Sequence, residues 1–187
     1  MPILESKLDT RDEVYQQNKS DMLETLAELQ ELYDKAAEGG GEEAVARIRS
    51  RGKMPIRERI GHVLDRDSPF LEISPLAAWR SSFDIGSGFV VGIGVIEGVE
   101  CGILGHDPSV RAGAFNPFNS KKLMRGLEIA RENRMPYVQF VESAGADLRG
   151  ESGGRGGDPN AAAEAAMRQE LSHFAASGRV FYEITEL

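Results

Sequence analysis

Little in this chain could act as a crosslink or a metal cage. Cysteine occurs once, at Cys101 within an apolar run, so neither a disulfide framework nor a thiolate site can form inside the chain. The histidines His62, His106 and His173 are scattered, with no ligand spacing among them. No apolar run approaches the roughly 18 residues that a membrane span needs. The opening MPILESKLDTRDE also lacks the basic-then-apolar order of a secretion signal. A reducing, cytoplasmic location is therefore expected. Positive charge is in short supply too: 22 Lys and Arg against 30 Asp and Glu give a net charge of −8, which argues against general nucleic-acid binding. What remains is ordinary for a soluble globular protein, 41% hydrophobic and 28% charged over 187 residues, enough chain to bury one core.

Residues 1–38 read as a helical segment, with Val14, Met22, Leu26, Leu29, Leu32, Tyr33 and Ala36 at three- and four-residue steps among acidic neighbours. Such a stripe is expected to pack on its own domain or on a sister subunit. Gly39, Gly40 and Gly41 end it, and residues 39–187 form the second unit. A basic stretch follows, Arg47, Arg49, Arg51, Lys53, Arg57 and Arg59, with Pro55 placed for the first turn of a helix through Ile56, Ile60, Val63 and Leu64. Six cations in an acidic chain suit an anionic ligand such as a nucleotide phosphate. They suit equally a solvated helix face paired with Glu42, Glu43 and Glu58.

Phe89–Ile96 and Val99–Leu104 flank Glu97–Gly98, the signature of a β-hairpin. The glycines at 86, 88, 92 and 94 lie in or beside a strand and do not open a helix, which excludes a dinucleotide fingerprint. The loop Gly105–Asn119 contains His106–Asp107, neighbours expected to point to opposite faces and to be structural. A helix is expected from Ser120 to Arg134, capped by Asn119 or Ser120, with Leu123, Leu127 and Ala130 on one face. Pro136 stops it, and Tyr137–Val141 reads as a strand running into Glu142-Ser143-Ala144-Gly145-Ala146. Residues this small let a ligand meet main-chain N–H groups, an arrangement able to serve a carbonyl oxygen gaining charge, or simply to turn the chain. After the glycine-rich loop 150–157, Asp158–Pro159 opens an alanine-rich helix reaching Ser177–Gly178, and another amphipathic segment begins at Arg179. Because the sequence stops inside that segment, a continuation, or a half supplied by another polypeptide, is expected. The order of elements gives an α/β fold with layered sheet and helix.

Three stretches in order resemble the carboxyltransferase (β) subunit of biotin-dependent acyl-CoA carboxylases of the propionyl-CoA and methylcrotonyl-CoA type. The first is Arg51-Gly-Lys-Met-Pro-Ile-Arg-Glu-Arg-Ile60 with Asp67-Ser-Pro-Phe70, and the second is the glycine-flanked hairpin from Gly86 to Glu100. The third joins Gly105-His-Asp-Pro-Ser-Val-Arg111, the helix 121–133, Ser143-Ala-Gly-Ala146 and Gly178-Arg-Val-Phe-Tyr182. The resemblance implies a crotonase-like spiral of ββα units, here an incomplete N-terminal carboxyltransferase domain preceded by a helix. It implies that the Ala146 N–H donates to the thioester oxygen of an acyl-CoA, with Gly145 and Ala144 letting it approach. Arg51, Lys53, Arg57 and Arg149 are the expected CoA contacts, chosen by charge. Carboxybiotin on a partner carrier, a biotin carboxylase and carrier subunit, the missing C-terminal half and a homo-oligomer are implied as well, with no metal, nucleic acid or membrane. The polypeptide alone is then expected to be inactive in carboxyl transfer.

The chain departs from that pattern at Ala144-Gly145-Ala146-Asp147, where the carboxylases usually have Gly-Gly-Ala-Arg. That leaves a related acyl-CoA decarboxylase, a crotonase-type hydratase or isomerase, or a non-catalytic module as alternatives.

Overall fold

The computed structural model describes residues 8–145 and 178–187. Helix α1, Glu13–Ala37, starts where the Asp12 carboxylate accepts from the N–H groups of Val14 and Tyr15, so residues 8–12 lie outside the helix expected there. Its apolar stripe packs on the domain only toward the C-terminal end, where Ala36 is buried and Leu29 and Leu32 are half-buried, while Val14, Met22 and Leu26 are exposed. The glycines that follow turn the chain, with Gly39 at a φ of +59°, into α2, Gly41–Ser50, and then α3, Ile56–Val63.

The sheet has four strands in the order β1 (Leu71–Glu72), β2 (Phe89–Ile96), β3 (Val99–His106) and β4 (Tyr137–Phe140). β2 and β3 form the expected hairpin, in register from Phe89 opposite His106 to Ile96 opposite Val99. Glu97 and Gly98 both take positive φ, the mirror-image turn that suits the twist of paired strands. The Asp65 carboxylate, just past α3, accepts from both turn N–H groups at 2.7 Å. The hairpin extends two residues beyond the expected end, to Gly105 and His106.

Helix α4, Pro117–Glu132, crosses back and delivers β4 parallel to β3. It begins three residues before the expected Ser120, and its cap is Asn116, replacing the expected Asn119 or Ser120. Asn116 accepts from the N–H groups of Phe118 and Asn119, while the Asn119 side chain accepts from the N–H of Asn116. Pro117 at the first position loses no hydrogen bond, since that N–H has no partner within a helix. A final helix, α5, covers residues 178–185.

The alternating side chains of β2 and β3 build two cores. Val90 and Ile103 face α3 and pack with Ile56, Ile60 and Cys101. Val91 and Leu104 face α4 and pack with Phe89, Leu123 and Leu127. α3 approaches so closely that a Cβ at Gly105 would collide with Ile56. A polar bolt fixes α4 to the start of β2. Asn116 and Asn119 both donate to the Ser87 carbonyl at 3.0 Å, Asn119 donates also to the Ala114 carbonyl at 2.9 Å, and the Lys122 ammonium donates to the Phe89 carbonyl at 2.7 Å. Burial lowers the Lys122 pKa to about 8, although the nearby Glu72 carboxylate pulls it back up.

Candidate functional site

The strand-end turn, residues 142–145, sits at the C-terminal edge of β4 and leans on the loop 111–115. Ala144 N–H donates to the Ala112 carbonyl at 3.1 Å, and Phe115 N–H donates to the Gly145 carbonyl at 2.8 Å. The supporting loop is held in an uncommon conformation, with Arg111, Ala112 and Gly113 all at positive φ. Gly113 is required twice over: its φ is +68°, and a Cβ there would run into the Glu142 carbonyl. Arg111 anchors the loop from outside. Its guanidinium reaches Asp84 at 3.2 Å and lies 4.8 Å over the Phe83 ring.

Glu142, the last residue before the small ones, is clamped by two cations from the α2–α3 region. Lys53 Nζ reaches it at 2.5 Å and Arg59 Nη2 at 2.8 Å. The hydrogen bond from Lys53, joined by Arg59, holds its carboxyl below the usual carboxylate range. This fork fixes the direction in which the chain leaves β4. Gly145 itself stays open, with a φ of +95° and no atom within 4 Å of where a Cβ would stand.

Gly145 opens on a cavity of about 380 Å³ that His106, Phe115, Leu123, Val141 and Phe181 also line. Its walls are mostly apolar, the usual build of a small-molecule site. His106 is 2% exposed, stacks on Phe89 at 4.2 Å and meets Phe115 edge-on. The ring bonds to the backbone of Gly113, while Nδ1 has no hydrogen-bond partner among the described residues. Burial lowers its pKa, so the imidazole is neutral near pH 7. The site therefore offers an apolar chamber, one main-chain turn held from two sides and a neutral buried imidazole.

The structure brings some of the expected site residues together and leaves others apart. Ala144 and Gly145 lie in the turn docked on the loop 111–115, whereas Ala146 and Arg149 lie outside the described residues. Lys53 reaches the turn through Glu142. Arg57 points to another part of the molecule, in a two-pronged pair with Glu72 at 2.6 and 3.1 Å. Arg51 is exposed at the C-terminal cap of α2. Farther along that face, Arg47 pairs with Glu43 and Arg49 with Glu58, the partners expected of a solvated helix face. The sequence places Arg59 in the basic stretch and Glu142 at the end of the strand, without joining the two. Their partnership spans 83 positions, and no local pattern announces it. No group of three or more metal-capable side chains gathers among the described residues, and no helix there is long and apolar enough to cross a membrane.

A hairpin, a crossover helix, a parallel strand and a small-residue turn at that strand's end define the crotonase-like class to which carboxyltransferase β subunits conform. The β subunit of Pseudomonas aeruginosa geranyl-CoA carboxylase superposes with a TM-score of 0.71 at 36% identity, covering 81% of this chain and 29% of that one. The transcarboxylase 12S core, solved as a hexamer assembly with methylmalonyl-coenzyme A bound, shares the fold at a TM-score of 0.69 and 24% identity, over 87% of this chain and 29% of that one. The carboxyl transferase domain model matches residues 47–172, more than half of the sequence, and the chain belongs to that family. A probable biotin-dependent acyl-coenzyme A carboxylase beta2 subunit of Mycobacterium tuberculosis is 46% identical over 146 residues, 78% of this chain and 28% of that protein. The methylcrotonoyl-CoA carboxylase beta chain of Dictyostelium discoideum is 41% identical over 150 residues, 78% of this chain and 25% of that protein. This chain thus spans between a quarter and three-tenths of the length of these relatives.

Proposed function

We propose that this chain is the acyl-CoA-binding part of a biotin-dependent carboxyltransferase, which moves a carboxyl group onto the α-carbon of an acyl-CoA. The observation that carries this reading is the turn at Ala144–Gly145, docked on the loop 111–115 and opening on the apolar cavity. The thioester carbonyl lies against the turn with its oxygen toward the Ala146 N–H, and the acyl chain enters the cavity. A main-chain donor placed there stabilises the enolate oxygen more than the ground-state carbonyl, so it favours loss of the α-proton. The enolate carbon is then the nucleophile.

Carboxybiotin would supply the carboxyl group when bound, its N–carboxyl bond breaking as the new C–C bond forms and the ring nitrogen left behind taking up, in the net balance, the proton lost from the α-carbon. No side chain of the apolar cavity is assigned to the biotin ring, which belongs on this reading to the C-terminal half and to a carrier domain or subunit. Relatives named as biotin-dependent carboxylase subunits support that division, as does the hexameric 12S core for a homo-oligomer. The clamp of Lys53 and Arg59 on Glu142 positions the turn. That leaves Arg51, and Arg149 beyond the turn, as cations for the CoA phosphates. A cytoplasmic setting fits the lone, buried thiol of Cys101.

The test uses a full-length carboxyltransferase carrying this chain as its N-terminal part. Ala146→Pro removes the N–H and lowers kcat for acyl-CoA carboxylation by about 10²-fold or more, with the circular dichroism spectrum unchanged. Retained turnover overturns the assignment.

A further inference from the structure

The loop 111–115 under the turn is a strained piece of chain that its surroundings must hold. Arg111, Ala112 and Gly113 stand at φ of +48°, +55° and +68° in succession, and the first two are not glycine. Such backbone persists only where neighbouring structure over-determines it. Outside, the Arg111 guanidinium supplies one anchor at Asp84. Inside, the loop is met by His106, the last residue of β3. Its main chain is set by the sheet, opposite Phe89 in the register, and the next residue, Asp107, donates its N–H to the Gly88 carbonyl at 2.9 Å. Its ring is wedged between Phe89, stacked at 4.2 Å, and Phe115, edge-on at 5.2 Å.

That ring carries a donor as well as a flat face. Its bond to the Gly113 backbone favours the protonated imidazole, so the ring donates and the Gly113 carbonyl accepts. Nδ1 has no partner among the described residues, which leaves Nε2 as the donor. His106 is buried, so a bond lost at Gly113 is not replaced by bulk water. From Gly113 the support passes to the turn. Gly113 lies against the Glu142 carbonyl, the Ala112 carbonyl accepts from the N–H of Ala144, and the Phe115 N–H donates to the Gly145 carbonyl. The sheet thus reaches the turn through His106 by one hydrogen bond and one ring contact, and the hydrogen bond is what requires a polar side chain here.

We propose that His106 is a positioning residue for the carboxyl transfer: its imidazole N–H, acting through the Gly113 carbonyl, keeps the loop 111–115 under Ala144–Gly145 and so fixes where the turn meets the thioester. The role in turnover rests on the carboxyltransferase reading. Variants of the full-length enzyme, assayed on whichever acyl-CoA from acetyl to geranyl the native enzyme carboxylates best, separate donor from ring. His106→Phe keeps a ring and lacks the donor. His106→Gln keeps an N–H donor at the reach of Nε2 and lacks the ring. His106→Leu, lacking both, replaces His106→Phe if that variant does not fold. His106→Phe lowers kcat per binding-competent site, counted by calorimetry, at least about tenfold, and weakens acyl-CoA affinity by no more than about threefold, because the enolate relies on the turn more than the thioester does. His106→Gln stays within about threefold of the native kcat. Hydrogen exchange reads the positioning without turnover: in His106→Phe the amides of Phe115 and Ala144 exchange at least about tenfold faster, while those of the β2–β3 hairpin keep their native rates. Unchanged kcat or unchanged exchange in His106→Phe overturns the proposal, as does His106→Gln performing no better than His106→Phe. Faster exchange throughout the hairpin makes His106 a general structural support and overturns it too. A native enzyme that carboxylates none of these acyl-CoAs overturns the carboxyltransferase reading, and the role in turnover with it, whatever the exchange rates show.

Discussion

Helices α1 and α4 have comparable amphipathic patterns and opposite fates. In α4 the apolar face is sealed, with Leu127 and Ala130 wholly inaccessible, whereas Leu26 of α1 is 49% exposed. The pattern shows which side of a helix avoids water, but not what covers that side. α4 is covered because the connection on either side of it is short: it leaves β3 through a 10-residue loop, 107–116, and must return to β4 at Tyr137, which holds it flat on the sheet. α1 meets the body along its C-terminal part, where Ala36 is buried and Leu29 and Leu32 are half-buried, while Met22 and Leu26 farther up stay exposed.

The largest expected effect separates the two helices directly. Leu127→Ala costs about 2–5 kcal/mol in urea unfolding, while Leu26→Ala changes the stability of the monomer by less than about 0.5 kcal/mol. Equal losses would mean that the apolar stripe of α1 is covered within one chain. Next comes the loop under the turn: Gly113→Ala demands a positive φ and space already taken by Glu142, and destabilises by about 1–3 kcal/mol. Its affinity for an acyl-CoA, measured by calorimetry on the full-length enzyme, falls too, and unchanged affinity would detach the loop from the site. Asn119→Ala removes donors to two buried carbonyls and one half of the capping box, at about 1–2 kcal/mol.

A smaller effect depends on pH. The Glu142 carboxyl titrates below its ordinary range, so its contribution is fully present above an ordinary carboxylate pKa of about 4.3 and is lost as pH falls through the lowered folded value. Denaturation profiles of the native chain and Glu142→Gln therefore keep a constant separation above about pH 6 and converge in acid. Parallel profiles down to acid unfolding would show that Lys53 and Arg59 do not hold the charged form. The least effect belongs to the exposed pair of Arg49 and Glu58, where Arg49→Ala costs under about 1 kcal/mol.

Much of the sheet was legible in advance. The β2–β3 hairpin could be read from Glu97–Gly98 between two apolar runs, and β4 from its β-branched and aromatic residues after Pro136. The cap of α4 was misplaced because Asn116, Asn119 and Ser120 are all good caps by type. Only the docking against Ser87 makes Asn116 the cap and Asn119 its reciprocal partner. The partners of the basic stretch were equally hidden, since Lys53 and Arg59 find Glu142 more than 80 positions away.

By itself the sequence determined the local elements, the apolar face of each helix and the small-residue turn after β4, because backbone preference and side-chain periodicity act over a few neighbouring residues. Tertiary structure alone decided which charges neutralise one another, which helix face is covered and what supports the turn. Those outcomes depend on distances between segments far apart in the chain, and a charge or an apolar side chain carries no local mark of the partner it will meet when the chain closes.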